Sequence, residues 1–198
     1  MVQKPAQRGR PPKFDQGAVV DAAIGAFFRS GFDATTLKDL EQATGVDRST
    51  LYNSFGGKQG LYELATTAYL DRAEIGLFTP LSSGTDDGYA DILAFLGRLR
   101  SGLGSPSATP GCLIVNDMAT GSAPDAAARY RARLEAGLIA ALTRAQHPTP
   151  EHGAATLAAA VLGLNLVSKL TGDAAEINRL IDAMESTVHD WQRTHAPA

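Results

Sequence analysis

The chain has 198 residues, 44% hydrophobic but only 7% aromatic, and a formal net charge of −3. That apolar share can build a core, which excludes a wholly disordered chain, and abundant Ala with few β-branched runs predicts an all-α protein. A single cysteine, Cys112, excludes an intrachain disulfide framework, and the expectation that no run approaches the roughly 18 to 20 apolar residues of a membrane span predicts a cytoplasmic protein with no membrane partner.

The charge is unevenly placed. Residues 1–60 hold eight Lys/Arg against six Asp/Glu, and residues 61–198 hold ten against fifteen. Lys4, Arg8, Arg10 and Lys13 fall within the first thirteen residues with no acid among them. A basic terminus ahead of an acidic body predicts a polyanion partner at one end. Residues 1–13 read as a flexible basic arm, being polar and rich in proline.

From Gln16 to Ser30, Val20, Ala23, Ile24, Phe27 and Phe28 recur at helical spacing, and Gly31 reads as a stop with Phe32 turning back into the core. A short helix over Leu37 to Thr44 follows. Thr36 and Asp39 form a capping box before it, Leu37, Leu40 and Ala43 share a face, and Gly45 ends it. Asp47 is an N-cap for a third helix over Arg48 to Ser54, with Leu51 and Phe55 inward. Two short helices joined by a turn around a glycine are the sequence form of a helix-turn-helix. Arg48, Ser49, Thr50, Tyr52 and Asn53 are left on the other faces, as a helix reading a nucleic-acid groove would place them.

A fourth helix from Lys58 to about Leu77 is expected to turn Leu61, Leu64, Ala65, Ala68 and Tyr69 inward, followed by a loop over "FTPLSSGTDDG". Residues 88–103 are amphipathic, and "GSPSATPG" is a second loop. Further helices are expected near 112–120, 125–146, 151–171 and 174–194, punctuated by Pro124, the "HPTP" at 147–150, and Gly172 with Asp173.

The order of these parts, with "TTLKDLEQATGVDRSTLYNSFGGKQGLYELA" at its centre, resembles the TetR family of bacterial transcriptional regulators. Thr36, Leu40, Gly45, Val46, Leu51, Tyr52, Phe55, Lys58 and Leu61 match that family's N-terminal pattern, over roughly residues 16–65. Beyond residue 75 the likeness is architectural. Leu40-Glu41 stands where Ile-Ala is commoner. Gly56-Gly57 replaces a frequent Pro-Ser, which removes a hydroxyl cap and predicts a more mobile loop. The resemblance implies a DNA-binding domain over 14–57 and a body over 58–198 that binds a small-molecule effector. It also implies a homodimer formed by the last two helices as a four-helix bundle, and a protein that regulates transcription, most often as a repressor.

On the matching positions, the resemblance implies double-stranded operator DNA as the partner. Thr36 both caps a helix and touches a phosphate. Arg48 grips a base edge or a phosphate, Ser49 and Thr50 permit close approach, and Asn53 sits near bases with a natural match to adenine. Tyr52 and Lys58 hold the backbone, Lys58 together with the N-terminus of its helix. In "RGRP", Arg8 and Arg10 flank a glycine as minor-groove arms do.

Cys112 has two readings, a small buried hydrophobe or a sensor of oxidants or electrophiles, the second requiring access and a lowered pKa. Lys169 is a conceivable cationic neighbour, whereas Asp117, the nearest ionisable group in sequence, would raise the thiol pKa. His147, His152, His189 and His195 lack metal-site spacing, so no metal is expected. No P-loop, nucleophile elbow or dinucleotide fingerprint occurs, so neither a cofactor nor an enzyme is expected. The rival from another class is a helical small-molecule-binding protein that does not read DNA. A hydrolase built on Ser, His and Asp in the body has no arranged motif.

Overall fold

A computed structural model describes residues 14–82, 84–105, 110–118, 120–122 and 124–195, and no strand occurs among them. The stretch with Arg8 and Arg10 lies outside these residues. The first helix, α1 (Gln16–Ala34), starts at Asp15, whose carboxylate accepts the Gly17 N–H at 2.8 Å. It breaks at Gly31, with φ 77° and ψ 170°, so the expected stop is a corner followed by one more turn. Phe32 folds back there against Tyr62, with ring centroids 4.7 Å apart.

Helix α2 (Leu37–Thr44) has the expected bounds. The Thr36 hydroxyl accepts the Asp39 N–H at 3.2 Å, and the Asp39 carboxylate accepts the Thr36 N–H at 2.8 Å. Gly45 closes it in the left-handed region, and α3 (Arg48–Phe55) begins at Asp47, which accepts the Thr50 N–H at 2.7 Å. These bonds hold both capping carboxylates below their ordinary range, Asp39 through Thr36 and Asp47 through Thr50 and Ser49. Leu40, Leu51 and Phe55 are buried with Val19, Ala23 and Phe27 of α1.

Helix α4 (Gly57–Ala73) passes through a π-helical turn (Glu74–Phe78) into α5 (Thr79–Ser82). Two expectations are corrected here. The loop predicted from residue 78 is helical as far as Ser82, because Phe78 and Leu81 plug the body core and Pro80 sits in the first turn of α5, where no intrahelical N–H is required. Leu64 is 45% exposed rather than inward, because the buried face of α4 runs through Leu61, Tyr62, Ala65 and Thr66, which rotates Leu64 outward.

The body contains α6 (Gly88–Leu103), α7 (Leu113–Met118), α8 (Pro124–Arg144), α9 (Pro150–Thr171) and α10 (Ala174–Thr194). Its core gathers Phe78, Phe95, Tyr130, Leu134, Leu138, Leu157, Val161 and Ile181. Ionic ties bind the rim: Arg144 to Asp91 at 2.8 Å between α8 and α6, and Arg100 to Asp182 at 2.7 Å and Glu185 at 2.9 Å between α6 and α10. Arg133 pairs with Glu74 beside the π turn and holds that carboxyl below its ordinary value.

The expectation that no segment has the length and apolarity of a membrane span is also corrected. Helix α9 meets that test, with a mean hydropathy of 1.5 over its most apolar 18-residue window. Leucines and valines interspersed with alanines supply that hydropathy, without an unbroken run of large apolar residues. One face of α9, through Ala154, Leu157, Ala158, Val161 and Leu164, is packed into the body core, as in the central helix of a globular domain.

Candidate nucleic-acid interface and its adjoining cavity

The helix-turn-helix is rigid for reasons local to its sequence. Helix α3 has only eight residues, too few to be stable alone. Asp47 caps it, Leu51 and Phe55 anchor it in the core, and the Glu41 carboxylate accepts the Arg48 N–H at 2.7 Å from the neighbouring helix. Glu41, unusual for the family pattern, therefore serves the turn rather than pointing idly to solvent.

With two apolar anchors inward, Arg48, Ser49, Tyr52 and Asn53 are exposed and Thr50 is half-buried. The Ser49 hydroxyl donates to Asp47 at 2.8 Å, so Ser49 and Thr50 both serve the cap. Tyr52 is 53% exposed, large for an aromatic ring, and the Arg48 guanidinium lies 5.9 Å from its centroid. One edge of the ring lies against Gly57. A Cβ there would come within 2.9 Å of the tyrosine ring, and Gly57 has φ 74°, so glycine is required on two counts. Gly56-Gly57 is thus a seat for Tyr52, a role that the missing hydroxyl cap did not suggest.

Lys58 is half-buried beside the Gly31 corner. Its ammonium donates to the Asp33 carbonyl at 3.2 Å and lies 4.4 Å from the Phe32 ring centroid. Thr36 is exposed, with its hydroxyl engaged by Asp39. The structure therefore brings Arg48, Ser49, Tyr52 and Asn53 together on the open side of α3.

A group of contacts that the sequence reading missed ties this unit to the body. Asp117 of α7 is buried, and its carboxylate accepts the Tyr62 hydroxyl and, at 3.4 Å, the Phe32 N–H beside the Gly31 corner. Burial and this bond push the Tyr62 phenol far above its ordinary value. The Ser122 hydroxyl donates to the Asp33 carboxylate at 3.0 Å. Consecutive residues of the α7 segment serve two cores: Leu113 packs with α1 and α4, while Cys112, Ile114 and Val115 pack in the body. The only sign of this in the sequence is a carboxylate closing the apolar run "CLIVND".

The same segment walls a cavity of about 550 Å³, lined from α1 by Ile24 and Phe28, from α4 and the π turn by Tyr69, Arg72 and Leu77, and from α6 by Arg98 and Leu99. Cys112, Tyr130 and Asn165 form its inner wall. Burial pushes the Cys112 thiol up, against a partial opposing effect of the Tyr69 hydroxyl, and Asp117 adds to the rise. Lys169 does not supply the cation that a reactive thiol needs: its ammonium donates to the Phe28 carbonyl at 3.4 Å. Among the described residues no group of three or more His, Cys, Asp or Glu side chains is arranged to hold a metal ion.

Comparison with known proteins agrees with this arrangement. The family model described as bacterial regulatory proteins, tetR family, matches residues 19–65, from α1 into α4. The HTH-type transcriptional repressor ComR of Escherichia coli is 35% identical over 117 residues, covering 57% of this chain and 54% of ComR, so the match spans about half of that protein. The HTH-type transcriptional regulator AlkX of Mycobacterium tuberculosis is 30% identical over 157 residues, covering 75% of this chain and 72% of AlkX. Among solved structures, a cysteine mutant of the TetR family transcriptional regulator CifR, complexed with 26 bp double-strand operator DNA, superposes with a TM-score of 0.78 at 21% identity, covering 92% of this chain and all of that one. A helix-turn-helix built around Asp47 and Gly45, an all-helical body behind it, and a relative matched over most of both chains lead to one conclusion: this chain belongs to the TetR family of bacterial transcriptional regulators.

Proposed function

We propose that this transcriptional regulator is a repressor, that α3 carries its operator-reading side chains, and that filling the cavity behind α4 releases it from DNA. The observation that carries the reading is the exposed row Arg48, Ser49, Tyr52 and Asn53 on a capped helix whose opposite face is locked in the core. A protein that no longer read DNA would have no use for four polar or amphipathic groups held outward by a salt-free, hydrogen-bonded turn. Residues 14–57 form the DNA-reading unit in this proposal, with Lys58 and the start of α4 on the phosphates, and residues 58–198 form the effector and dimer body.

Dimerisation falls to α9 and α10. Leu166 and Leu170 of α9 and Leu180 of α10 are 40%, 83% and 37% exposed, so both helices show apolar residues outward as well as inward. A second copy covering this face gives two recognition helices whose separation must match half-sites about 34–36 Å apart, or a multiple of that.

Coupling follows the α7 segment. A ligand in the cavity presses on Cys112 and Tyr69, and Asp117, five residues along, holds the Phe32 N–H and the Tyr62 hydroxyl. Moving that strut reorients α1 and α4, and with them α3. Selection of bound fragments from genomic DNA, followed by fluorescence anisotropy on the enriched sequence, tests the reading. A two-fold symmetric site whose binding is weakened in Asn53→Ala is expected, and enrichment of no sequence would refute it.

A further inference from the structure

The cavity is charged on one side only. Arg72 and Arg98 are on its lining, and among the described residues no Asp or Glu is. Arg72 has a partner in Asp21, but both side chains are more than half exposed, so the pair is weak and its guanidinium can be shared. Arg98 has no carboxylate partner among the described residues; it donates to the Gly76 carbonyl in the π turn at 2.5 Å. An arginine held by one carbonyl keeps donors in its fork for an anion.

The inner wall is neutral. Burial raises the phenols of Tyr69 and Tyr130 well above their ordinary value, so they stay protonated. Asn165 is 3% exposed, its amide N–H donates to the Val161 carbonyl at 2.8 Å, and its other amide atom has no hydrogen-bond partner among the described residues. Between the arginines and this wall the lining is aliphatic and aromatic: Ile24, Phe28, Leu77, Leu99 and Leu103. At about 30 Å³ per water-sized unit, the 550 Å³ holds a body of up to about 18 non-hydrogen atoms.

We propose that the cavity is selective for an amphipathic carboxylate, an apolar chain or ring seated among Phe28, Leu77 and Leu99 with its anionic head on Arg98 and Arg72. The proposal rests on the reading of this cavity as the effector site and adds the chemistry of the ligand. A cation finds no counter-charge there, and a neutral alcohol offers Arg98 a single uncharged acceptor in place of the two charged oxygens of a carboxylate. The π turn gives the head group leverage: an anion competing for Arg98 frees the Gly76 carbonyl, and such turns are frequent at functional sites.

The experiment measures binding of decanoate, decanol and decylamine to the full chain by calorimetry, with operator release followed in parallel by anisotropy. Decanoate is expected to bind at least about tenfold tighter than either of the others, since a charge-assisted hydrogen bond is the stronger kind. Arg98→Gln and Arg72→Gln should lose that preference while binding decanol as before, and Arg98→Lys, which keeps the charge, should retain part of it. Decanol binding as tightly as decanoate, or Gln variants that keep the preference, would overturn the proposal, as would absence of decanoate binding. If decanoate binds selectively yet leaves the operator bound, the carboxylate site stands and the effector reading falls. If decanol alone binds and releases DNA, the reverse holds.

Discussion

The contact between Asp117, Tyr62 and the Gly31 corner can be weighed by removing one atom. Tyr62→Phe deletes the hydroxyl that the Asp117 carboxylate accepts and leaves that buried group, among the described residues, with the 3.4 Å bond from Phe32 N–H. Residue exposures of 1% and 2% for Tyr62 and Asp117 put the bond out of reach of solvent competition. A hydrogen bond to a charged group contributes about 1.5–3 kcal/mol, and an abandoned buried partner adds its own desolvation. We therefore expect Tyr62→Phe to cost about 2 kcal/mol, and Asp117→Ala about 2–4 kcal/mol because it strands both donors. With a urea m-value of about 2 kcal/mol/M, the first change moves the unfolding midpoint by roughly 1 M. The double variant should cost less than the two singles together by about 1.5 kcal/mol or more, the coupling expected of direct partners. Urea unfolding at one fixed protein concentration, since dimerisation adds to stability, measures all four corners. Additivity within about 0.5 kcal/mol would show that the two groups do not act together. In the same variants, ligand binding should persist while ligand-driven operator release weakens. Undiminished release in Tyr62→Phe would remove Asp117 from the route between cavity and DNA.

Further outcomes follow from the site and from buried titratable groups outside it. Asn53→Ala should cost about 1–3 kcal/mol on the best operator and relax preference at one base pair, whereas Lys58→Ala should weaken all sequences alike and lower the salt slope by about 0.9; anisotropy against mismatched operators at several salt concentrations separates them. His147 is buried beside Tyr89, Trp191 and His195, and burial first, then the His195 charge, holds its imidazole below 6.5. The unfolded chain takes up a proton near pH 6.5 that the folded chain refuses, so stability should fall as pH drops below about 6.5, and His147→Gln should flatten the Tm profile between about pH 7.5 and 5.5. The capping carboxylates of Asp39 and Asp47 act in a separate window, their stabilisation lost only as pH falls through their lowered folded pKa values. Cys112→Ser should cost about 1–3 kcal/mol and leave operator binding intact, with slow alkylation of the wild-type thiol; rapid, Cys112-dependent loss of DNA binding at low oxidant would instead establish the sensor reading.

The helices that the sequence announced are those whose ends carry local chemistry. Thr36 with Asp39, Asp47, Gly45, and Gly172 with Asp173 cap or stop helices through groups within three residues, and the bounds of α2, α9 and α10 agree with expectation to about one residue. Where the end depends on a distant partner, local reading failed. The extension through Phe78 and Leu81 exists because Phe95 and Tyr130 receive Phe78, with ring centroids at 6.0 and 5.7 Å, and Leu81 packs against Gly137. Leu64 was misplaced because Tyr62, a residue as suited to a surface as to a core, takes the inward position to reach Asp117.

The same division explains the site. The outward placement of Arg48, Ser49, Tyr52 and Asn53 could be named in advance because a short helix with two inward anchors leaves these side chains outward. The groups linking that helix to the cavity come from residues 31–33, 58, 62, 117 and 122, far apart in sequence and ordinary in type. Asp117 is informative only once it is seen to be buried while accepting a backbone N–H at a broken helix. A carboxylate in that position is costly unless its donors stay in place, so any ligand that shifts α7 must either carry α1 and α4 along or break these bonds. Carrying them along is the less costly response, and under the proposed mechanism it is how a pocket that never touches α3 would govern where α3 points.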